Sequence, residues 1–151
     1  MVEMEIKYEA PASIAVYLST QLNSLANGGT VLGAKVDNVA NGENEMYLGL
    51  QLLVKAQPTV RLPQAKVGIY LLPCLDGTNF SYGDSDGLVN PNNKFVDIEL
   101  DGGSLAERRT IIGKLDIPPF DFKLLVHNLT GADFADSANT LSYRLYSEES
   151  Q

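Results

Sequence analysis

The sequence predicts an all-β fold, an antiparallel β-sandwich of seven or eight short strands with a jelly-roll-like topology. Three observations lead to this prediction. Apolar and polar residues alternate with period two in most segments, as in strands that turn one face to a core and one to water. Glycine- and asparagine-rich steps separate these segments, as turns require. We find no convincing crossover helix between strands, and parallel pairing needs such a crossover.

The first element is ambiguous between a strand and a helix. Ile14, Val16 and Leu18 alternate as a strand does. A helix that starts near Pro11 and Ser13 would instead align a stripe of Ile14, Tyr17, Leu18, Leu22 and Leu25. The β-rich remainder of the chain favours the strand.

The other predicted strands differ in how clearly they alternate. Residues 94–100 place Val96, Ile98 and Leu100 on one face and charged side chains on the other. Residues 46–54 are apolar on parts of both faces, which is typical of a central strand. In chain order, the predicted strands after the first are 30–36, 46–54, 66–72, 94–100, 109–115, 120–127 and 141–145.

The domain organisation is simple. A chain of 151 residues fits one domain, and neither an internal repeat nor a linker-like change of composition divides it. We predict an N-terminal arm over residues 1–12 and a single β-sandwich domain over residues 13–151. Pro11 limits helix formation in the arm, which is a candidate to reach over a neighbouring subunit.

The composition restricts the classes of binding partner and the cellular compartment that we expect for this protein. A net charge of −8 with scattered basic residues argues against nucleic acid as a partner. The acidic opening Met1–Lys7 resembles no targeting signal, and no apolar run approaches the roughly 20 residues of a membrane helix, so we expect no membrane contact. The single cysteine, Cys74, excludes an intrachain disulfide and suits synthesis in a reducing cytosol.

The sequence gives little support for an enzymatic activity. The single histidine, His127, lies on the polar face of a predicted strand beside Lys123 and Asp121, and no nucleophile signature accompanies it. Cys74 has no neighbouring cation and is interpreted as a small, buried or half-buried hydrophobe. The glycine-rich stretches match no phosphate-binding pattern. We therefore expect no catalytic, cofactor-binding or metal-ligating residues, no cofactor and no enzymatic activity.

The polar run at residues 76–93 is the most unusual segment. A loop of that length is usually functional or disordered. Asp76, Asp84 and Asp86 are candidate calcium ligands, but the spacing completes no known calcium loop, and turn formation explains them better. We expect a turn-rich connection at one end of the sandwich that acts as an assembly contact or an exposed tip.

Aromatic residues offer a second function. Rings on a β-sandwich can stack on sugars, although the absence of tryptophan removes the largest stacking surface. The candidate rings are Phe80, Tyr82, Tyr47, Tyr70 and Tyr146. A tail-associated receptor-binding or carbohydrate-binding module is therefore the alternative hypothesis, and a small hydrolase is a distant third.

Several motifs in the same order resemble small virion proteins of tailed bacteriophages. The clearest run is Tyr70–Asp84, with the sequence YLLPCLDGTNFSYGD. It is followed by Phe122–Gly131 and Asn139–Glu149 and preceded by Leu22–Gly29 and Val36–Asn38. The similarity covers most of the chain, and it rests on the co-occurrence of motifs that are individually unspecific.

The resemblance implies a non-enzymatic β-sandwich protein, a capsid cement (decoration) protein of the virion. The resemblance implies a homo-oligomer, a dimer or a trimer, that binds the major capsid protein on the outside of the head. The implied localisation is the capsid surface, after synthesis in the cytoplasm of the bacterial host. The resemblance assigns no functional role to any individual residue.

Overall fold

The computed structural model of the protein describes residues 6–8, 11–39 and 44–150. Ten strands lie in this part of the chain, and eight of them form two four-stranded sheets. The strands are β1 (Ile6–Tyr8), β2 (Ala15–Leu18), β3 (Thr30–Leu32), β4 (Tyr47–Val54), β5 (Lys66–Cys74), β6 (Lys94–Glu99), β7 (Arg108–Asp116), β8 (Asp121–Leu129), β9 (Thr140–Tyr146) and β10 (Glu148–Ser150).

The eight main strands pair in a nested order. Sheet I has the strand order β2-β9-β4-β7, and sheet II has the order β3-β8-β5-β6. All of the pairs are antiparallel. The first four of these strands therefore pair with the last four as β2–β9, β3–β8, β4–β7 and β5–β6. The prediction of an all-β, antiparallel β-sandwich is confirmed.

The ambiguous first segment is a strand. β2 ends at Leu18, and a short 3-10 turn follows at Thr20–Leu22. Leu18 and Leu22 are both buried in the core. Leu22 reaches the core through this turn, which explains why the segment also fits a helical stripe.

The predicted strand 30–36 is shorter than expected. β3 stops at Leu32, and the chain returns to β8 at a single bridge between Val36 and Phe122. Between them, the backbone N–H of Leu124 donates to the Tyr17 hydroxyl (2.9 Å) instead of a strand carbonyl. The same hydroxyl donates to the carbonyl of Ala34 (2.6 Å). A side chain thus replaces part of the strand pairing.

The core lies between the inner faces of the two sheets. Its central side chains come from β4 in sheet I and from β5 and β8 in sheet II, and most are fully shielded from water. They are Leu48, Leu50, Leu52, Val67, Ile69, Leu71, Phe122, Leu124 and Val126. Their burial is the main favourable contribution to folding.

The polar loop 76–93 lies against the outer face of sheet II. Tyr70, Leu72 and Leu125 form a second apolar cluster on that face, and Val89 of the loop packs on it. The Thr30 hydroxyl donates to the carbonyl of Gly87 (2.9 Å), and Lys123 pairs with Asp84. The expectation of a connection at one end of the sandwich was wrong. The loop lies over the outer face of sheet II, because it packs on the apolar side chains there.

A buried arginine fixes the start of β7. The side chain of Arg61 is fully shielded and donates to the Asp101 carboxylate (2.8 Å) and to the carbonyl of Ala106 (3.1 Å). Asp101 also accepts from Arg108, the first residue of β7, at 2.6 Å. The connection before β5 and the connection before β7 are thereby held together.

Candidate functional site

The two sheets differ in what covers their outer faces. The loop 76–93 covers part of sheet II, whereas large apolar side chains of sheet I remain exposed. We call the outer surface of sheet I the open face; it is formed by the outward-pointing side chains of β2, β9, β4 and β7 and by Ile14 just before β2. The β1–β10 ribbon borders it at one end, where Tyr8 contacts Tyr146.

The open face exposes aliphatic side chains on both edges of the sheet. Ile14 is 55% exposed and Val16 is 64% exposed at the β2 edge, and Ile111 is 67% exposed on β7. Single exposed apolar residues are common on protein surfaces. A group of them around one depression is instead typical of an interaction site.

The depression lies over two glycines on adjacent strands. Gly49 of β4 and Gly113 of β7 both line it, and an added Cβ at Gly49 would lie 3.5 Å from the carbonyl oxygen of Gly113. The absence of side chains there leaves a hollow of about 290 Å³ whose floor is backbone. Ile14 and Ile111 stand at its rim, and Arg144 lines it from β9.

An aromatic group fixes one end of the depression. The rings of Tyr47 and Tyr146 lie 5.3 Å apart, and the Tyr146 hydroxyl donates to the carbonyl of Gly113 (2.7 Å). Lys114 stacks over the Tyr47 ring at 4.2 Å and pairs with Glu148 at 3.0 Å. The hydrogen bond to Glu148 raises the pKa of Lys114 to about 12. These contacts hold the end of the open face in one arrangement.

Charge is distributed unevenly between the sheets. The four strands of sheet I carry four basic side chains and one acidic side chain, whereas those of sheet II carry three of each. Arg109 and Arg144 of sheet I are exposed, and no ion-pair partner of Arg144 lies among the described residues. The open face thus combines exposed aliphatic side chains with the exposed Arg109 and Arg144, on a chain whose net charge is −8.

The loop aspartates serve as turn and loop contacts. Asp76 accepts from the backbone N–H groups of Asn79 (2.7 Å) and Thr78 (2.9 Å), and these hydrogen bonds hold the pKa of its carboxyl well below the usual range. Asp84 pairs with Lys123, and Asp86 accepts from the N–H of Leu88. In the described part of the chain, no three His, Cys, Asp or Glu side chains are grouped as metal ligands would be.

The five aromatic candidates are divided between the two faces. Phe80 lies beneath Lys123, whose amine is 4.3 Å from the ring centre, and Tyr70 belongs to the cluster on sheet II. Tyr47 and Tyr146 instead belong to the open face. The structure thus brings two of the candidates together and does not build one platform from all five.

His127 and Cys74 both lie on strands of sheet II. His127 lies on the outer face of sheet II, 6.4 Å from the ring of Tyr70, and partial burial lowers its pKa. Cys74 is buried, as interpreted from the sequence, and its thiol lies 3.7 Å from the carboxylate of Asp76. Neither side chain forms part of the open face.

Sequence reasoning missed the open face, although one signal was present. Ile111 and Ile112 are adjacent in β7, so an apolar side chain must point away from the core at this position. The charge difference between the sheets was not readable, because the assignment of strands to sheets depends on long-range pairing.

Comparison of the chain with known proteins identifies no family. No model of a known protein family matches the chain, and no curated protein is significantly similar to it. Among the residues that the structure describes, no helix has the length and apolar character needed to cross a membrane. The fold and the open face are therefore the basis for a functional proposal.

Proposed function

We propose that this protein is a non-enzymatic virion structural protein that binds the outside of an assembled phage capsid as a cement protein and stabilises it. The observation that carries the proposal is the open face, an exposed apolar surface with cationic side chains on a rigid sheet. The resemblance of the sequence motifs to phage virion proteins supplies the biological setting.

The physical requirements of a cement protein are modest. A protein that binds the assembled shell and not its dissociated subunits stabilises the shell by mass action, by about 2.7 kcal/mol when its free concentration is 100 times the dissociation constant. This effect needs surface complementarity and no reactive group. A sandwich with one face covered by its own loop and one face open is suited to the task.

The rest of the proposal concerns topology, partners and location. The nested pairing of the eight strands supports a jelly-roll topology, which consists of two packed sheets of this kind. The proposed partners are the major capsid protein and further copies of this chain. The proposed location is the capsid surface, after synthesis in the cytoplasm of the bacterial host.

One observation favours a second candidate, a tail-associated receptor-binding or carbohydrate-binding module. Tyr146 lines the depression of the open face, where a sugar ring would stack, and the buried Tyr47 packs against it at 5.3 Å. Lys114 already occupies one face of the Tyr47 ring, which reduces the free stacking surface. Saturable binding on a glycan array that is abolished by Tyr146→Ala or Tyr82→Ala would favour this module over the cement protein.

The test of the proposed function is association with particles. Purified virions should contain the protein in stoichiometric amounts, and heads that lack it should lose DNA at a lower temperature and at a less extreme salt concentration. Adding the purified protein back should restore the resistance. Detection of the protein in infected-cell lysate but never in particles would contradict the proposal.

A further inference from the structure

The shape of the open face suits the insertion of an aliphatic side chain. The hollow over Gly49 and Gly113 has a volume of about 290 Å³, several times the roughly 30 Å³ that one water molecule occupies in the liquid. Ile14 and Ile111 stand at its rim. An aliphatic side chain placed there would shield both isoleucines from water, which is the main favourable contribution in most protein association.

The charge of the open face indicates what should flank that side chain. Arg144 lines the hollow and has no ion-pair partner among the described residues. Arg109 shares the face of Ile111, since it lies two residues earlier on the same strand. Arginine presents a planar fork of donors that matches a carboxylate. Acidic side chains on the partner would therefore complement these two arginines.

A second copy of this chain fits the site poorly. Two open faces in a symmetric dimer would place two surfaces that both carry exposed arginines against each other, and like charges at an interface are costly. The outer faces of a sandwich point in opposite directions, so an open face docked on the covered face of the next copy would extend without closing. A different, acidic protein is the better occupant.

Nucleic acid is also a poor match. Phosphate binding requires many cations along a groove, whereas the open face has exposed isoleucines on both sides of its hollow and the chain as a whole has a charge of −8. An apolar centre with polar groups around it is typical of protein interfaces.

From these observations we propose that the open face docks a segment of a partner protein in which an aliphatic side chain is flanked by carboxylates. The aliphatic side chain enters the hollow over Gly49 and Gly113, and the carboxylates pair with Arg144 and Arg109. The identification of that partner as the major capsid protein rests on the proposed function; the chemistry of the docking site does not.

A peptide-binding experiment tests the chemistry directly. The probe is a short fluorescent peptide of alternating glutamate and leucine, and binding to the full-length protein is measured by fluorescence anisotropy. Comparison probes are a peptide of alternating lysine and leucine and a short oligothymidylate. We expect saturable binding of the acidic peptide, weakened at least about tenfold by Ile111→Asp and by Arg144→Glu.

Matched controls separate the open face from general charge effects. Leu75 is 75% exposed at the start of the polar loop, so Leu75→Asp adds the same charge away from the open face. Lys35 is half exposed and pairs with Asp121, so Lys35→Glu makes the same charge reversal as Arg144→Glu. Both controls should bind the acidic peptide within about twofold of the unaltered protein, as expected for surface substitutions outside an interface.

Several results would overturn the proposal. They are absence of binding to the acidic peptide, equal binding of either comparison probe, or equal effects of Ile111→Asp and Leu75→Asp. Sedimentation with particles that lack the protein separates this proposal from the proposed function. Failure of the unaltered protein to sediment with particles would contradict the cement role. The docking chemistry would then be tested by the peptide experiment alone. Equal sedimentation of Ile111→Asp and the unaltered protein would contradict the docking site alone.

Discussion

Tyr17 illustrates how single side chains set the shape of this sandwich. Its hydroxyl accepts from the backbone N–H of Leu124 and donates to the carbonyl of Ala34, so it completes the pairing between the two chain segments where β3 ends. Burial raises the pKa of Tyr17 to about 12. A Cβ at Gly33 would lie 2.2 Å from the Tyr17 ring, so position 33 accepts no larger residue while that ring is present.

Removal of the Tyr17 hydroxyl should therefore destabilise the fold. We expect Tyr17→Phe to lower the free energy of unfolding by about 1–3 kcal/mol, because it leaves the N–H of Leu124 without a partner in the core. The measurement is urea denaturation followed by circular dichroism. Tyr143→Phe is the matched control, since Tyr143 packs edge-on against Tyr17 at 5.7 Å and its hydroxyl makes no hydrogen bond among the described residues. Equal effects of the two substitutions would contradict this account.

Asp101 lies in the connection between β6 and β7 and holds two arginines. Its carboxylate accepts from Arg108 and from the buried Arg61, and these contacts lower its pKa from 3.8 to about 2. Because the folded state binds the proton more weakly than the unfolded state, the ionised carboxylate stabilises the fold. That stabilisation is complete above about pH 4 and is lost as the pH falls toward 2.

A pH series with Asp101→Asn tests this electrostatic contribution. The difference in denaturation midpoint between the unaltered protein and the variant should be largest near neutral pH and should shrink as the pH falls from about 4 toward 2. Asp136→Asn is the control, because Asp136 is exposed and forms no ion pair within the described residues. A difference for Asp101→Asn that stays constant across that pH range would contradict the assignment.

At the scale of elements, the loop 76–93 acts as a cover for sheet II. Val89 packs on the second apolar cluster, and Lys123 joins the loop to β8 through Asp84 and through the ring of Phe80. The loop aspartates close turns within it. The cover explains why Leu125, on the otherwise polar face of β8, is fully buried.

Loosening the cover should expose the loop to proteases. Lys123→Ala removes the ion pair and the contact with the ring, which together contribute about 1 kcal/mol at a partly exposed site. Cleavage by chymotrypsin after Tyr82 should then be about fivefold faster if it follows the population of the opened loop. Lys35→Ala, which removes an ion pair to Asp121 outside the loop, should leave the cleavage rate unchanged. Unaltered cleavage in Lys123→Ala would show that other contacts hold the loop.

The strands themselves could be predicted from the sequence more completely than their ends and their arrangement in space. Alternation predicted strands such as 94–100 because one face is apolar and the other is charged. The end of β3 at Leu32 depended on the Tyr17 hydroxyl, which comes from a distant part of the chain. The position of the loop depended on Tyr70 and Leu125 lying on the same outer face, which follows from the register of β5 with β8.

The structure describes residues 6–8, 11 and 12 of the predicted N-terminal arm. Residues 1–5, 9 and 10 lie outside the described residues, and β1 pairs with β10 of the same chain. The backbone N–H of Ala12 donates to the carbonyl of Leu145 (3.1 Å). A reach of this segment to a neighbouring subunit stays a prediction.

At the scale of the whole molecule, the two outer faces differ in what covers them. Sheet II is partly covered by the chain's own loop, and sheet I presents exposed isoleucines together with the exposed Arg109 and Arg144. An exposed residue kept for binding should contribute little to stability. We therefore expect Ile111→Asp to change the free energy of unfolding by no more than about 0.5 kcal/mol, measured by urea denaturation. A loss of several kcal/mol would indicate a structural role for Ile111.

The most direct test of the central claim, that the open face binds the capsid, is hydroxyl-radical footprinting of the protein on phage heads. Exposed side chains on both sides of the molecule serve as reporters: Ile14 and Ile111 on the open face, and Tyr82 and Leu88 in the loop. The account predicts that binding to heads protects Ile14 and Ile111 from oxidation and leaves Tyr82 and Leu88 as reactive as in the free protein. Protection of Tyr82 and Leu88 with undiminished oxidation of Ile14 and Ile111 would contradict it.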